Sequence, residues 1–529
     1  MQSALPRSHW WSTIGVLLGV LTIALNIGVL NIAIPTMMSS LGTNLARIQW
    51  VQTGFQIAQV VMIPAVGWLG AQLGTKRLYL LAMLSFIGAS CLCGLAWDVN
   101  SLIFFRVLQG LASGPIMPLG ISILHSTFPP EKRGFAMGLN TFSFSFGPAV
   151  APALGGHLIE MLNWRVIFYL NVPIGLICVV IVYLMMPPTE DRRARPFDAV
   201  GVFSMAGFLV LLLLALSEGR RYGWHSQSLM AMLGVAGLLL IVFVVAELTT
   251  ETPFVELRLF KHASFAMGCF ISFLSTMEFR GTNFILPIML QRTFHYPPFQ
   301  AGLFFLPPAL VMGVMSIMTG RLADRFSPKI LLIIGLLALT VASLQFCTID
   351  VWTTGGVMLG LILMRRAAQA FCNTPLTLIG LRQIPEEEMR MATGLFSLHR
   401  NLAGAVGVAL SATLLESREA LHRLQYSERQ MLYPMGTEQA TETIQGVLMQ
   451  DGQGGETLTQ MTNEVLRQQL GERAAMGSYQ DLFAMFAILA IVCVIPVLLL
   501  RTGQHATPSK KNTPAAPTAD TLAETGERR

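Results

Sequence analysis

Apolar runs of about 20 residues recur along this chain between residues 13 and 500, and they constrain the fold more than any other feature. Each run is long enough to cross a hydrocarbon core of about 30 Å as a helix. Only 12% of the residues are charged, whereas soluble proteins average about a quarter. The sequence therefore predicts an all-α polytopic membrane protein with about fourteen transmembrane helices.

The charged residues and cysteines exclude several other classes of protein. The net charge of +6 is scattered through short loops, so membrane topology explains it better than binding to nucleic acid. All seven cysteines lie inside apolar runs, so neither disulfides nor a metal site is predicted. The sequence has no phosphate-binding Gly-rich loop and no nucleophile elbow. We therefore predict no cofactor, no nucleic-acid partner and no enzymatic activity.

Basic residues mark alternate ends of the predicted helices. They follow the second, fourth and sixth apolar runs: Lys76, Arg77, Lys132, Arg133, Arg192, Arg193 and Arg195. Because cytoplasmic loops are enriched in Lys and Arg, these loops and both termini are predicted to be cytoplasmic. The first run lacks a signal-peptide cleavage site and is predicted to stay as helix 1. Helices 2, 4 and 13 are predicted as continuous at about 47–73, 102–128 and 391–415.

The segment 138–175 combines glycine and proline with two apolar runs. Its first run contains Gly147-Pro148 and Gly155-Gly156, and a short Asn163-Trp164-Arg165 hinge precedes the second. Small residues let membrane helices approach closely. The chain also shows weak internal symmetry, because the segment 67–77 corresponds to 320–329 and Arg106 corresponds to Arg366. Paired halves of this kind build many transporters, with a substrate site between them.

These motifs resemble the major facilitator superfamily, and more narrowly its fourteen-helix drug/proton antiporter family of EmrB/QacA type. The resemblance implies a major facilitator fold in the bacterial inner membrane. It comprises an N-terminus at 1–12, six-helix bundles at 13–187 and 264–500, and a linker at 188–263 with two inserted helices. The composition of 501–529 predicts a disordered tail. The residues that match conformational motifs are Gly67, Gly74, Lys76, Arg77, Gly147, Pro148, Gly155, Gly156, Asp324 and Arg325.

Charges in the middle of helix 9 are the most informative single residues. A charge deep in a membrane span is costly, so it needs a partner, a wet cavity or a function. Glu278 and Arg280 point about 200° apart and cannot pair within the helix. Glu278 is either a proton carrier or a structural partner of an arginine on another helix. Arg280 either holds an anionic group of the substrate or keeps Glu278 ionised, and Asn283 lies nearby.

Other deep polar residues complete the predicted site. Arg106 resembles the arginine that the family uses near its proton path, and the family's acid in helix 1 is replaced here by Asn26. Coupling is therefore assigned to Glu278, with His399 as either a second titrating group or a hydrogen-bonded structural residue. Of the consecutive Arg365 and Arg366, symmetry with Arg106 favours Arg366 as the inward one. The predicted substrate-binding residues are Arg280, Asn26, Gln52, Gln56, Asn283, Arg366 and Arg400.

Glutamines form one polar stripe on helix 2, at positions 49, 52, 56 and 59. In lipid this stripe must turn inward, where it either lines a pathway or bonds to helix 11. Asp324 matches an aspartate of the family motif, whereas the first copy of the motif has Ala71 at that position. This replacement puts a charge latch in the first half in doubt.

The polar segment 416–478 is predicted to form a helical hairpin outside the membrane, broken by glycines at 452–455. It is either a solvated connector or a docking element. The resemblance to EmrB-type pumps implies a periplasmic adaptor protein and an outer-membrane channel as its partners.

The deep charges are mainly positive, which favours anionic cargo. We predict proton-coupled efflux of amphipathic, anionic small molecules by alternating access between two bundles. The alternatives are a dedicated exporter of one endogenous lipid, siderophore or metabolite, and a membrane scaffold or sensor that does not transport. The predicted partners are membrane lipid, a small-molecule substrate and protons.

Overall fold

The computed structural model describes residues 7–187, 198–250, 255–382, 384–385, 388–432, 441–442, 445–446 and 455–499. The basic group at 192–195, the predicted tail at 501–529 and most of the predicted hairpin tip lie outside these residues.

Nine α-helices make up the first half, which comprises residues 7–187: α1 (Arg7–Ser40), α2 (Leu45–Met62), α3 (Ala65–Leu73), α4 (Thr75–Gly94), α5 (Val99–Ser113), α6 (Ile116–Thr127), α7 (Arg133–Met161), α8 (Val166–Tyr169) and α9 (Asn171–Met185). Two paired helices follow: α10 (Ala199–Tyr222) and α11 (Gln227–Thr249). The second half contains the remaining helices: α12 (Ala263–Arg292), α13 (Pro298–Leu303), α14 (Leu306–Arg325), α15 (Pro328–Phe346), α16 (Gly355–Leu381), α17 (Met389–Leu432), α18 (Gly455–Val492) and α19 (Val494–Leu499).

Within these ranges, nine helical stretches are long and apolar enough to cross a membrane, and the bent pair α2–α3 would make a tenth. Four further helices of 27 residues or more, α7, α12, α16 and α17, are outside this set. They carry the Gly-Pro motif of α7 and the deep charges of the second half. The prediction of fourteen crossings depends on counting these four as well.

Proline breaks two helices that the sequence predicts as continuous. Helix 2 is divided at Pro64 into α2 and α3, which are bent by 59°. Helix 4 is divided at Gly114 and Pro115 into α5 and α6. Proline lacks a backbone N–H and clashes with the preceding turn, which favours such breaks. In contrast, α7 continues through Pro148.

The glycines of α7 allow it to pack directly on α1. A Cβ atom added to Gly147 would lie 2.5 Å from the Cβ of Ala24, and one added to Gly155 would lie 2.5 Å from a methyl group of Val29. On α1, a Cβ on Gly28 would meet Pro148 and Ala151 at 2.9 Å or less. Gly156 belongs to the same helix. The motif of α7 is therefore the contact surface for α1, where larger side chains would separate the two helices.

The two halves meet at the end of the bundle that carries Lys76, Lys132, Arg325 and Lys329, which we call the basic end. Here α7 packs on α14, and α17 packs on α3 and α6. Asp324 of α14 accepts hydrogen bonds from the backbone N–H groups of Gly134 at 2.7 Å and Phe135 at 3.0 Å. Since these are orphan donors at the start of α7, the carboxylate caps a helix of the opposite half.

The first half makes a different contact at the corresponding position. Ala71 is buried in α3, while Arg390 of α17 donates to Thr75 Oγ1 at 3.0 Å and its side chain packs on Gly70. Among the described residues, the basic end therefore shows a carboxylate cap at Asp324 and, at the corresponding position of the first half, a bond from Arg390 to Thr75.

Two helices, α17 and α18, are much longer than a bilayer requires. The 44 residues of α17 correspond to about 66 Å at the usual rise per residue. This helix continues past residue 415, the predicted end of helix 13, because residues 408–432 contain neither glycine nor proline. Near the end of α12, Arg292 makes a bidentate ion pair with Glu419 of α17 at 3.1 and 3.2 Å. His422 bonds to Asp481 of α18 at 3.0 Å.

Candidate functional site

One arginine is buried in the middle of the first half, on α5. Arg106 is 1% exposed, and its guanidinium donates to Gln109 Oε1 at 2.6 Å and to Asn26 Oδ1 at 3.3 Å. It also donates to the carbonyl of Val51 at 3.1 Å and lies over the ring of Phe55. All of these partners are neutral. The buried cation is therefore stabilised by dipoles and an aromatic face instead of a carboxylate.

Asn26 is a central member of this network. It is 4% exposed, and its Oδ1 also accepts a bond from Asn171 Nδ2 at 3.1 Å. Ser90 connects the other side, since its hydroxyl accepts from Gln109 at 2.7 Å and from Asn171 at 3.0 Å. The predicted substrate-binding residue Asn26 thus lies inside the first half, bonded to Arg106.

The corresponding place in the second half contains an ion pair. Glu278 of α12 is 1% exposed and pairs with Arg365 of α16. The hydroxyl of Thr282 donates to Glu278 Oε1 at 3.3 Å and accepts from Arg365 Nη2 at 2.6 Å. Ser343 of α15 accepts a further bond from Arg365 at 2.6 Å. Glu278 Oε2 is buried, and it has no hydrogen-bond partner in the described part of the chain.

The networks around Arg106 and Arg365 have the same arrangement, which corrects the prediction that Arg366 corresponds to Arg106. Each contains an arginine of equivalent helices α5 and α16, a serine of α4 or α15, and an aromatic ring of α8 or α18. Arg106 faces Phe168 at 5.7 Å, and Arg365 faces Phe483 at 5.4 Å. Arg365 is therefore the counterpart of Arg106. Symmetry in the sequence favours Arg366 instead. An ion pair of Glu278 with an arginine of another helix is one of the two predicted alternatives, whereas the bonds of Arg365 to Thr282 and Ser343 are not predicted.

Arg366 points to a different side of α16. Its Nη2 donates to Asn283 Oδ1, and its guanidinium lies 5.1 Å from the centre of the Phe279 ring. These two partners belong to α12 and are neutral. The structure thus brings together Arg366 and Asn283, two of the residues predicted to bind substrate.

Arg280 and Arg400 form a second cationic group between α12 and α17. The side chain of Arg280 packs on Gly404, where an added Cβ would lie 3.1 Å from Arg280 Cγ. Arg400 lies one helical turn before Gly404 on the same face, and the two guanidinium charges repel each other. Both side chains are half-buried, and neither has an ion pair or hydrogen bond to any described residue. Arg365, not Arg280, neutralises Glu278.

Glycine permits this close approach of α12 and α17. A Cβ on Gly407 would lie 2.3 Å from the carbonyl oxygen of Met277, and one on Gly281 would lie 2.3 Å from Ser411 Oγ. The backbone of α12 remains helical through Gly281. Glu278 and Arg280 consequently face different helices, as their 200° separation predicts.

His399 lies beside Arg400 but faces α12. Its ring is 5.1 Å from that of Phe273, and it makes a hydrogen bond to the backbone of Cys269. Its Nε2 is buried without a partner among the described residues. This environment suits the hydrogen-bonded structural role that the sequence left open.

The helix that carries the glutamine stripe, α2, packs on α5 and α10. Gln56 is exposed and Gln52 is half-buried. Neither side chain makes a hydrogen bond to a described residue, so a bond to the eleventh predicted helix is not present for these two glutamines.

The remaining motif residues lie at the basic end. Gly74 ends α3 with φ 81°, a conformation that favours glycine. Lys76 donates to the carbonyl groups of Tyr183 and Met186 at the end of α9. Gly67 packs on Met391 of α17, while Arg77 and Arg325 are exposed. In the described ranges, no cluster of three or more His, Cys, Asp or Glu is arranged for a metal ion.

Comparison with known proteins assigns the family. The protein family described as Major Facilitator Superfamily matches this chain over residues 16–408. The multidrug export protein EmrB of Haemophilus influenzae is 35% identical over 402 residues, 75% of this chain and 79% of that protein. The fatty acid resistance protein FarB of Neisseria gonorrhoeae is 31% identical over 504 residues, 94% of this chain and 96% of that protein.

A solved structure agrees on the fold. The human organic anion transporter MFSD10 (TETRAN) superposes with a TM-score of 0.59 at 14% identity, covering 93% of this chain and 100% of that one. At this identity the likeness concerns the fold alone. The apolar helices and the relatives together indicate an integral transporter of the bacterial inner membrane. The chain therefore belongs to the Major Facilitator Superfamily, as an EmrB-like pump of the multidrug export type.

Proposed function

We propose that this protein exports amphipathic small molecules with an anionic group, in exchange for protons, by alternating access between its two halves. The observation that carries the proposal is the pair Arg280 and Arg400. These arginines lie inside membrane helices without a carboxylate partner among the described residues.

The contrast with the other deep arginines supports this function. Arg106 has four neutral polar or aromatic partners, and Arg365 has Glu278. An uncompensated charge at this depth costs several kcal/mol, and two adjacent like charges cost more. A carboxylate or phosphate of the cargo would neutralise Arg280 and Arg400 and lower this cost. Arg366 adds a third cation, with Asn283 as a hydrogen-bonding neighbour.

The name of one relative favours a particular kind of anion. FarB is named for resistance to fatty acids, and fatty acids are amphipathic carboxylates. We propose the same class of cargo for this chain: a carboxylate held by Arg280 and Arg400, with an apolar tail between the halves. Gln52 and Gln56 would line the path on the side of the first half.

Proton coupling is proposed to use the Glu278–Arg365 pair. Protonation of Glu278 removes its negative charge and releases Arg365, whereas deprotonation restores the pair. Coupling follows if the pair opens in one state of the cycle and closes in the other. The first half has no acid at the corresponding position, because Asn26 cannot carry a proton. Arg106 and His399 would then shape the site without titrating.

Reconstitution tests the function directly. In vesicles of purified protein with an imposed pH gradient, we expect uphill movement of dodecanoate that stops when a protonophore removes the gradient. The control is a vesicle without protein, because fatty acids cross bilayers unaided. The proposal is wrong if a panel containing dodecanoate, ethidium and tetraphenylphosphonium shows no proton-dependent movement of any anion above this background.

The hairpin formed by the outer parts of α17 and α18 is proposed to stand on the periplasmic side and to bind an adaptor protein. This orientation follows if the basic end is cytoplasmic. Deleting 426–469 is expected to leave transport in vesicles within about twofold of the parent while abolishing drug resistance of cells, because only the cell requires the partner. Loss of both activities would instead assign the hairpin a role in the transport cycle.

A further inference from the structure

A half-open cavity of about 310 Å³ lies at the base of this hairpin, and we call it the hairpin-base pocket. It is formed by the end of α12, one face of α17 and one face of α18. The 30 residues of α12 correspond to about 45 Å, which exceeds a hydrocarbon core of about 30 Å. The pocket at its end therefore lies at the level of lipid head groups.

Positive charge is in excess around this pocket. Arg292, Arg423 and Arg467 line it. The first two share one carboxylate, that of Glu419, at 3.1 Å and 2.6 Å. Arg467 is exposed and has no partner among the residues that the structure describes. His295 bonds to Glu472 at 3.1 Å, so three arginines stand against the two carboxylates of Glu419 and Glu472.

Two further features distinguish the pocket. Thr293 lines it and is 4% exposed, and the buried hydroxyl of Thr293 lies beside the buried phenol of Tyr479. His295 has φ 53°, the one positive value found for a residue other than glycine in the described ranges. Backbone strain of this kind is concentrated at binding sites, where the surrounding structure maintains it.

We propose that the hairpin-base pocket binds the anionic head group of an amphiphile, a carboxylate or a phosphate. A volume near the lower limit of ligand pockets, about 300 Å³, fits a head group and leaves the apolar tail in the membrane. Guanidinium groups match the geometry of both oxyanions. The head group comes either from cargo that leaves the transport site or from a membrane phospholipid.

Binding of two probes distinguishes these sources. Titration calorimetry is done with the full chain in phosphatidylcholine nanodiscs, using dodecanoate and dihexanoyl phosphatidylglycerol. An Arg280→Gln/Arg400→Gln background removes the proposed transport site, so binding above that of nanodiscs without protein reports the pocket. Dodecanoate binding assigns the site to cargo, and binding of the phospholipid alone assigns it to lipid; each supports the proposal. No binding of either anion in this background overturns it.

Two arginines of α18 provide a matched comparison. Arg467→Gln removes an exposed charge that lines the pocket, and Arg473→Gln removes an exposed charge outside it. We expect the first change to weaken binding about tenfold, as for the loss of one charge-assisted hydrogen bond, and the second to leave it unchanged. Equal effects of the two changes would also overturn the proposal. The cargo source depends on the proposed function, but this measurement requires no transport, so either can fail without the other.

Discussion

Reversing the charge of Arg280 is expected to abolish the export of amphipathic anions and to spare the export of any cation that the parent transports. In Arg280→Glu the new carboxylate would pair with Arg400, so neither member of this pair can hold the cargo, and it would also repel the anionic group of the cargo. Removing one partner from a buried charge pair costs about 2–5 kcal/mol, so a loss of about 100-fold in the initial rate is expected. The measurement is proton-driven transport of dodecanoate compared with cations in reconstituted vesicles.

Two other arginines make this result specific. Arg280→Lys keeps the charge and should retain most of the anion transport, with some loss because lysine lacks the planar fork of arginine. Arg473→Gln removes an exposed charge of α18 to which no role in transport is assigned, and it should change neither class of cargo. An unchanged ratio of anion to cation transport in Arg280→Glu would refute the role proposed for the Arg280 and Arg400 pair.

The sequence predicted the helices well because a bilayer leaves the backbone few alternatives. It predicted their interruptions less well. Pro64 separates α2 from α3, whereas Pro148 lies within an unbroken α7. Both prolines remove the same backbone donor, and whether the helix bends depends on the helices packed around it. Gly147 and Gly155 bring α1 against α7, and this tight packing holds α7 in one piece.

The sequence predicted which side of a helix a residue faces when the comparison stayed within one helix. It did not do so when two segments of the chain had to be aligned with each other. The spacing of Glu278 and Arg280 correctly places them on different sides of α12. The choice between Arg365 and Arg366 was wrong because it depended on aligning two weakly similar halves. A shift of one residue turns the side chain by about 100°. Ser343, Thr282 and Phe483 identify Arg365 as the buried one, and they lie on three other segments of the chain.

The two buried arginines also differ in how their charge is compensated. Arg106 is bonded to amide and carbonyl oxygens, so its surroundings have the same charge throughout a transport cycle. Arg365 is paired with Glu278, whose charge changes when it takes up a proton. The same architecture therefore has a fixed version in the first half and a version that can titrate in the second. This asymmetry locates the proposed coupling step at Glu278.

Glu278→Gln is accordingly expected to abolish uphill, proton-driven export while downhill movement of dodecanoate persists. The substitution also leaves Arg365 buried without its counter-ion, which costs about 3–5 kcal/mol. We therefore expect a clear loss of thermal stability in detergent, and a loss of transport alone would have two explanations. The measurement must include both the unfolding temperature and the dependence of transport on the pH gradient.

The double substitution Glu278→Gln/Arg365→Gln separates these explanations. It removes both charges, and two glutamines can bond to each other and to Thr282 and Ser343, so most of the lost stability should return. If Glu278 carries the proton, the double variant is stable but still unable to pump against a gradient. If the pair serves only to hold α12 and α16 together, coupling returns with stability, and the role proposed for Glu278 is wrong. The double variant therefore tests the coupling role of Glu278, because its fold is stable while the titrating group is absent.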